Sequence, residues 1–350
     1  MPPPTRNPPN RFSLEQVVYD EAPPAELTVL EETARSILSE NESPDVGFRF
    51  SINPYRGCAH GCAYCYARPT HAYLGHGAGS DFERKIVVKV NAPELLEEAF
   101  ERPSWRGETI AFSGNTDCYQ PLEARYGLTR RLLETCLRYR NPVAVITKGA
   151  LVRRDVDLLA ALAREARCRV TMSIAFADDA TARAIEPWAS PPSRRLDALA
   201  RLAEAGIPCG VSLAPLVPGL NDGDVVRILE RAKEAGASHA FTVLLRLPAE
   251  VLPVWDERLR EAFPGRHARV MAAIHEMRGG RAYESAFHQR QVGRGERYRM
   301  LARTFELHAA RLGLRVAMAG EVQAEGPAAG PRAEATTFRR PRSQLDLFEG

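Results

Sequence analysis

The reading turns on Asn53-Pro54-Tyr55-Arg56-Gly57-Cys58-Ala59-His60-Gly61-Cys62-Ala63-Tyr64-Cys65-Tyr66. It holds three cysteines at the spacing C-x3-C-x2-C, directly after a β-rich run, so three thiolates leave one tight loop. Thiolates are the usual ligands of iron–sulfur clusters, and three of them on a four-iron cube leave one iron open to a further ligand. Gly57 and Gly61 allow the backbone to wrap closely round an inorganic core. A structural zinc site is the competing reading, with His60, His71 or His76 completing a tetrahedron. Zinc sites more often pair two knuckles, and no second C-x2-C occurs in the chain, which favours the cluster.

Outward from this loop, the chain from about residue 48 alternates short β-rich runs with longer amphipathic stretches, the pattern of βα units and a parallel sheet. The runs are FRFSI, TIAFSG, VAVIT, RVTMSI, PCGVSLA and HAFTVLL. Between them, Leu128, Leu132, Leu133, Cys136 and Leu137, then Leu158, Leu159 and Leu162, then Leu196, Leu199 and Leu202 recur at helical spacing. Six such units suit an α/β fold with an open or partial barrel better than a flat doubly wound sheet, and in either case ligands gather at the carboxyl ends of the strands. The barrel is expected over residues 48–250. Residues 1–47 read as an N-terminal arm, rich in Pro, Arg and Asn at first, with one short helix. There Thr28 and Glu31 form a capping-box pattern, Val29, Leu30, Ala34, Ile37 and Leu38 share a face, and Asn41 and Pro44 end it. Residues 251–318 read as a helical C-terminal extension whose last helix runs from about 297 to 312, and residues 319–350 as a flexible tail.

Composition narrows the function classes. The 350 residues are 45% hydrophobic and 26% charged, enough for a sizeable core. Seven cysteines are too few for a disulfide scaffold, and outside the loop Cys118, Cys136, Cys168 and Cys209 are scattered as core residues would be. The first ten residues have no apolar h-region, and no run approaches the roughly 18–20 apolar residues that span a bilayer, so a cytoplasmic location is the expectation. A net charge of +3 does not by itself imply a nucleic-acid partner. The stretch 266–303, however, holds nine arginines, no lysine and three glutamates, the composition of a cationic surface.

The run ending FSGNTD has the form of a strand end turning into a loop, where Asp117 would cap an ordinary turn. Taken with the cysteine loop, these residues resemble the radical S-adenosylmethionine enzymes, whose hallmark is C-x3-C-x2-C with an aromatic, here Tyr64, before the last cysteine. Within that superfamily N-P-Y-R-G-C-x-H-G-C-x-Y-C-Y-A-R is similar to the spore photoproduct lyase-like branch, over roughly residues 30–320. The resemblance implies a partial (β/α)6 TIM-like barrel holding a [4Fe–4S] cluster on Cys58, Cys62 and Cys65. Methionine groups of S-adenosyl-L-methionine would take the open iron, and reductive cleavage would yield a 5′-deoxyadenosyl radical that abstracts hydrogen. It implies an electron donor such as flavodoxin or ferredoxin. It also implies that Ser113, Gly114, Asn115 and Thr116 bind the cofactor's amino group, that Lys148 meets its carboxylate, and that Ser173 reaches a ribose or carboxylate oxygen. Glu186, with Arg194 or Arg195, falls where relatives keep an acid and a helix-initiating arginine. The strand 211–215 and the loop 217–222 would support the adenine, Asn221 and Asp222 being cap candidates as well.

Two features depart from or add to that pattern. The resembled lyase keeps a hydrogen-donating cysteine where this chain has Gly114, which leaves Cys118 as the nearest thiol and the candidate donor, set against packing as a small hydrophobe. The chain closes with Gln344-Leu345-Asp346-Leu347-Phe348, which resembles the peptide by which bacterial repair proteins dock on the replication sliding clamp. On a tether of about 25 residues it would reach about 28 Å. Together with the arginine-rich stretch this points to DNA, and to DNA repair or nucleic-acid modification. The alternative is a zinc- or cluster-stabilised module that binds DNA or the clamp without catalysis.

Overall fold

Alternating β-branched runs and amphipathic helices close into a single layered wall, strands inside and helices outside. The computed structural model describes residues 5–8, 26–316 and 336–341. Its strands are β1 (Thr28–Glu32), β2 (Leu38–Glu40), β3 (Phe50–Ile52), β4 (Tyr55–Arg56), β5 (Lys85–Lys89), β6 (Ile110–Phe112), β7 (Val143–Thr147), β8 (Cys168–Ser173), β9 (Cys209–Leu216), β10 (His239–Leu244) and β11 (Arg315–Val316). Each of the six expected runs contains one strand, and these pair in parallel in the order β3-β6-β7-β8-β9-β10. The sheet is open, flanked by β2, antiparallel to β3, and by β11, parallel to β10. This is the expected partial barrel.

Parallel neighbours need a crossover, and a helix supplies each. Leu128–Arg138 lies between β6 and β7, Val156–Glu165 between β7 and β8, Pro192–Glu204 between β8 and β9, and Val225–Glu234 between β9 and β10. Alternate strand residues face these helices: Val170 and Met172 of β8 join Leu159, Leu162, Leu199 and Leu202 in one core, all fully or almost fully buried. Their neighbours Thr171 and Ser173 turn inward, as do Ser51 and Ser212, so the barrel interior is polar. Burying those leucines is the main driving force for the wall, at roughly 1.5–3 kcal/mol per side chain.

The helical extension comprises Val251–Ala262, Pro264–Met277 and Gly295–Arg311, the last close to the expected bounds. It is less separate than the sequence suggested. Helix Gly295–Arg311 packs on Val225–Glu234, and β11 extends the main sheet. Among the described residues no helix is long and apolar enough to cross a membrane.

Two expectations need correction. The short helix over 28–38 is instead β1, in register with β5 from Thr28 beside Lys85 to Glu32 beside Lys89, followed by β2. With β4 it forms a second sheet, β1-β5-β4, under the cysteine loop. A helix of some ten residues is marginal alone, and the β-branched Thr28 and Val29 gain more from an available strand edge than from a capping box. The second correction concerns the tail: residues 336–341 lie against the amino end of the barrel, where Thr336 Oγ1 donates to Gly107 O at 2.6 Å and the Arg339 amide to Tyr139 O at 2.8 Å. Of the expected tether, these six residues are seated on the barrel. The peptide 344–348 itself lies outside the described residues.

Candidate active site

A cavity of ≈ 590 Å³ opens at the carboxyl ends of the strands, the end at which the sequence places the site. Its lining brings together Cys58, Cys62, Cys65 and Tyr64 from the loop, Ser113 to Asp117 after β6, Lys148 after β7, and Ser173 at the end of β8.

The cysteine loop is held by its backbone. The Cys58 amide donates to Phe82 O at 2.9 Å, and the Gln120 side chain spans the same cysteine, accepting from the Ala59 amide at 2.9 Å and donating to Gly57 O at 3.2 Å. Gly57 has a φ of +79°, and a β-carbon there would lie 2.9 Å from His71, Ile86 and the Phe82 carbonyl, so no other residue fits this turn. On the far side the fully buried Arg68 donates to the carbonyls of Cys62 at 2.8 Å, Ala78 at 2.8 Å and Gly79 at 3.0 Å, and pairs with Glu83 at 2.5 Å. Gln120 and Arg68 were not singled out from the sequence. Arg68 closes the quoted motif, whereas nothing local marks Gln120.

Burial and then the Cys58 sulfur push the Cys65 thiol up to about 11, and burial and then Glu186 push the Cys62 thiol well above its ordinary value. Thiols crowded into one loop become thiolates most readily beside strong positive charge, which a metal cluster would supply. Among the described residues no three His, Cys, Asp or Glu side chains gather as the ligands of one ion would. Three thiols delivered by one loop to one cavity fit the ligand set of a four-iron cluster with one open iron. Of the zinc candidates, His60 faces Asp117 at 3.4 Å and His71 Nε2 lies 2.9 Å from Lys85 O. Burial opposes the His60 cation, but Cys58 and Asp117 raise it to about 9, while burial lowers His71 to about 4.

The turn after β6 is stitched to the same loop. Asn53 Oδ1 accepts the amides of Asn115 at 2.7 Å and Thr116 at 3.3 Å, Thr116 Oγ1 donates to Tyr55 O at 2.6 Å, and the Tyr66 hydroxyl donates to Gly114 O at 2.8 Å. Ser113 adopts a φ of +69°, a strained value for a non-glycine, and its Oγ accepts the Cys118 amide at 2.9 Å. Asp117 ties in the next strand, accepting from Thr147 Oγ1 at 2.6 Å and the Lys148 amide at 2.7 Å. It is thus a cross-link between strand ends as well as a turn residue.

Lys148 Nζ donates to Ser173 Oγ at 3.0 Å and sits 5.6 Å from the centre of the Tyr64 ring. Glu186 is displaced from its expected place. It does not line the cavity but lies buried behind Tyr64, joined to the Tyr64 hydroxyl and to Arg195, which donates to Ser173 O at 2.9 Å. Burial disfavours its charge, yet Arg195 and Lys148 hold the carboxyl below its ordinary range. Arg195, not the exposed Arg194, is the buried partner. Glu186 therefore orients Tyr64 and the β8 end rather than touching a ligand.

Two further expectations are revised. Cys118 is fully buried in the barrel core and does not line the cavity, so it packs as a small hydrophobe and does not face a ligand there. Asn221 locks its own loop, donating to Ala175 O at 2.7 Å and Pro215 O at 2.9 Å, and of this region only Ser212, Ala214 and Pro215 line the cavity. In the arginine-rich stretch, Arg278 is buried against carbonyls, Arg290 pairs with Asp45, and Arg294, Arg297 and Arg303 face Glu284, Glu276 and Glu306. Much of that charge serves the extension's own structure.

An uncharacterized protein of Mycobacterium tuberculosis is 39% identical over 193 residues, 55% of this chain and 57% of the relative, so the chain spans little more than half of that relative's length. A radical SAM Nα-GlyT isomerase of Pseudomonas phage M6 is 26% identical over 213 residues, 60% of this chain and 42% of its own. In fold, a spore photoproduct lyase complexed with dinucleoside spore photoproduct superposes with a TM-score of 0.61 at 18% identity, covering 83% of this chain and 81% of the lyase. The Radical SAM superfamily model matches residues 52–232, from β3 and the cysteine loop to the helix before β10. The chain belongs to the radical SAM superfamily, whose members use a [4Fe–4S] cluster and S-adenosylmethionine.

Proposed function

We propose that this protein is a radical enzyme that carries its cluster on Cys58, Cys62 and Cys65 and abstracts hydrogen from a substrate held in the barrel mouth. The observation that carries the reading is the convergence, on one cavity, of the three thiols with Ser113, Asn115, Lys148 and Ser173. When bound and reduced, the cluster would pass one electron to the carbon–sulfur bond of S-adenosylmethionine, giving methionine and a 5′-deoxyadenosyl radical. The chain's own residues bind and orient. The backbone of residues 113–116, fixed by Asn53, presents carbonyls and amides to the cofactor's amino group. Lys148, set by Ser173, offers its ammonium to the carboxylate. Tyr64, pinned by Glu186, forms the wall beside the cysteines. The polar interior leaves the apolar side of the mouth, Phe48, Phe241 and Val243, to the substrate. An external one-electron donor, such as flavodoxin or ferredoxin, completes the reaction.

The dinucleoside photoproduct held by the similar lyase favours a nucleic-acid substrate, and the resemblance of the 344–348 peptide to a clamp-docking sequence favours recruitment to DNA. With Cys118 withdrawn as donor, the radical would be quenched or recovered by another route than a thiol at that position.

The test is anaerobic reconstitution followed by reduction with S-adenosylmethionine present, reading 5′-deoxyadenosine by chromatography. The wild-type protein should bind about four irons and form the nucleoside, and Cys58→Ala, Cys62→Ala and Cys65→Ala should each lose both. Cluster-replete protein that never forms 5′-deoxyadenosine would refute catalysis and leave the module that binds without chemistry.

A further inference from the structure

Arg246 follows β10 at the carboxyl rim and lines the cavity on the side away from Lys148's strand. Its guanidinium lies over the Tyr66 ring, 5.8 Å from the centroid, and the Tyr66 hydroxyl is itself fixed to Gly114 O. Stacking thus holds the group in place without neutralising it. Its Nε is buried and has no hydrogen-bond partner.

The other cations of the lining are accounted for. Lys148 donates to Ser173, His60 faces Asp117, and Arg290 is paired with Asp45 and Ser43. The one carboxylate among the lining residues, Asp117, is already taken by Thr147, the Lys148 amide and His60. Arg246 makes no ion pair among the described residues. Its near neighbour Arg278 adds a second positive charge, one already satisfied by the carbonyls of Leu245 at 2.8 Å and Val292 at 2.7 Å. Burial and the repulsion of Arg246 bring Arg278 down to about 10, against the opposing pull of Tyr298, Tyr283 and Glu284. Asn41, Ser43 and Gln291 line the same cavity with neutral polar groups, Gln291 lying beside the end of β10, where its carbonyl accepts from the Leu244 amide at 3.0 Å. A guanidinium that faces a cavity with no free carboxylate, beside a like charge, lacks only its counter-ion.

We propose that Arg246 anchors an oxyanion group, a phosphate ester or a carboxylate, on the substrate that enters this cavity. The word substrate rests on the radical-enzyme reading, whereas the anion site does not. The planar fork can take such a group through two parallel hydrogen bonds, which would also fix the substrate's orientation relative to the cysteine side of the mouth.

The experiment measures equilibrium binding to the reconstituted holoprotein, under anaerobic conditions, of three probes: a short thymidylate oligonucleotide, its methylphosphonate analogue with a neutral backbone, and an aspartate-rich peptide of similar length. One of the two charged probes should bind more tightly than the neutral analogue, and which one distinguishes phosphate from carboxylate. Arg246→Gln should weaken that probe by about tenfold or more, the scale of one charge-assisted pair, with Arg246→Lys intermediate. The affinity for S-adenosylmethionine should stay within about twofold. Failure of the wild type to bind either charged probe, equal affinity for the neutral analogue, or an equal loss of S-adenosylmethionine affinity in Arg246→Gln overturns the proposal. Arg246→Lys serves the same comparison should Arg246→Gln fail to fold. Arg246-dependent binding by a holoprotein that forms no 5′-deoxyadenosine would refute the catalytic reading alone, so the two failures are separable.

Discussion

At the carboxyl rim of the barrel, side chains are held by hydrogen bonds from buried polar groups to backbone, whereas at the amino rim packed rings add to bonds such as that of Thr336 to Gly107 O. Around the cysteines, Arg68, Gln120 and Asn53 each bind two or more main-chain atoms. At the opposite end Phe338 meets Phe100 edge-on at 5.6 Å and stacks on Tyr139 at 6.1 Å, while Phe100 packs on Trp105 at 5.5 Å. Gly107 makes room for this, since a β-carbon there would lie 2.2 Å from that of Phe338. Directional bonds fix positions to fractions of an ångström, which a metal ligand set needs. Ring packing contributes stability and tolerates small shifts. Chemistry and anchorage are therefore separated by the length of the strands, and substitutions at the two ends should have different signatures.

The largest contrast should come from Arg68→Ala, which strands the buried Glu83 and several carbonyls. A loss of about 3–5 kcal/mol is expected from chemical denaturation, together with loss of iron uptake. Arg68→Lys should rescue little, because one ammonium cannot reach those carbonyls at once. An Arg68→Ala protein that keeps both stability and iron would break the comparison at its strongest point.

His71 gives the rim a pH dependence. Its folded value, lowered to about 4 by burial, lies below the ordinary 6.5, so the neutral ring is favoured in the folded state. Its contribution is complete above about pH 6.5 and declines as pH falls toward 4, by on the order of 3 kcal/mol at most. His71→Phe should flatten the fall in unfolding free energy between pH 7 and pH 5, and an unchanged slope would assign that fall to other groups.

Gln120→Leu keeps the volume but removes both bonds flanking Cys58, with an expected loss of about 1–3 kcal/mol and slower cluster reconstitution. If it were merely a core residue, stability would change and the reconstitution rate would not. Phe338→Ala should have the smallest effect, about 1–2 kcal/mol for a half-buried ring. Iron content should match the wild type, and a drop in iron would show that the two ends are coupled.

The strands and crossover helices were legible because their burial is periodic. Val143, Val145, Val170, Met172 and Val211 recur with the pleat, and the leucines between them recur with the helix. Residues 28–38 were misread because Val29, Leu30, Ala34 and Ile37 satisfy a helical spacing, while the strand edge that captured them, Lys85–Lys89, lies more than fifty residues away. Glu186 and Cys118 were placed at the cavity by motif order, which records where a residue falls along the chain and not which way its side chain turns.

By itself the sequence determined the parallel barrel, the end at which ligands collect, and the three thiols, because these depend on local spacing and on the period of burial. Only the tertiary structure decided that Gln120 and Arg68 clamp the loop, that Glu186 stands behind Tyr64, that Cys118 faces the core, and that residues 336–341 return to the amino rim. Each of these is a contact between segments distant along the chain, and such contacts exist only once the wall has closed and fixed which buried polar groups must find partners.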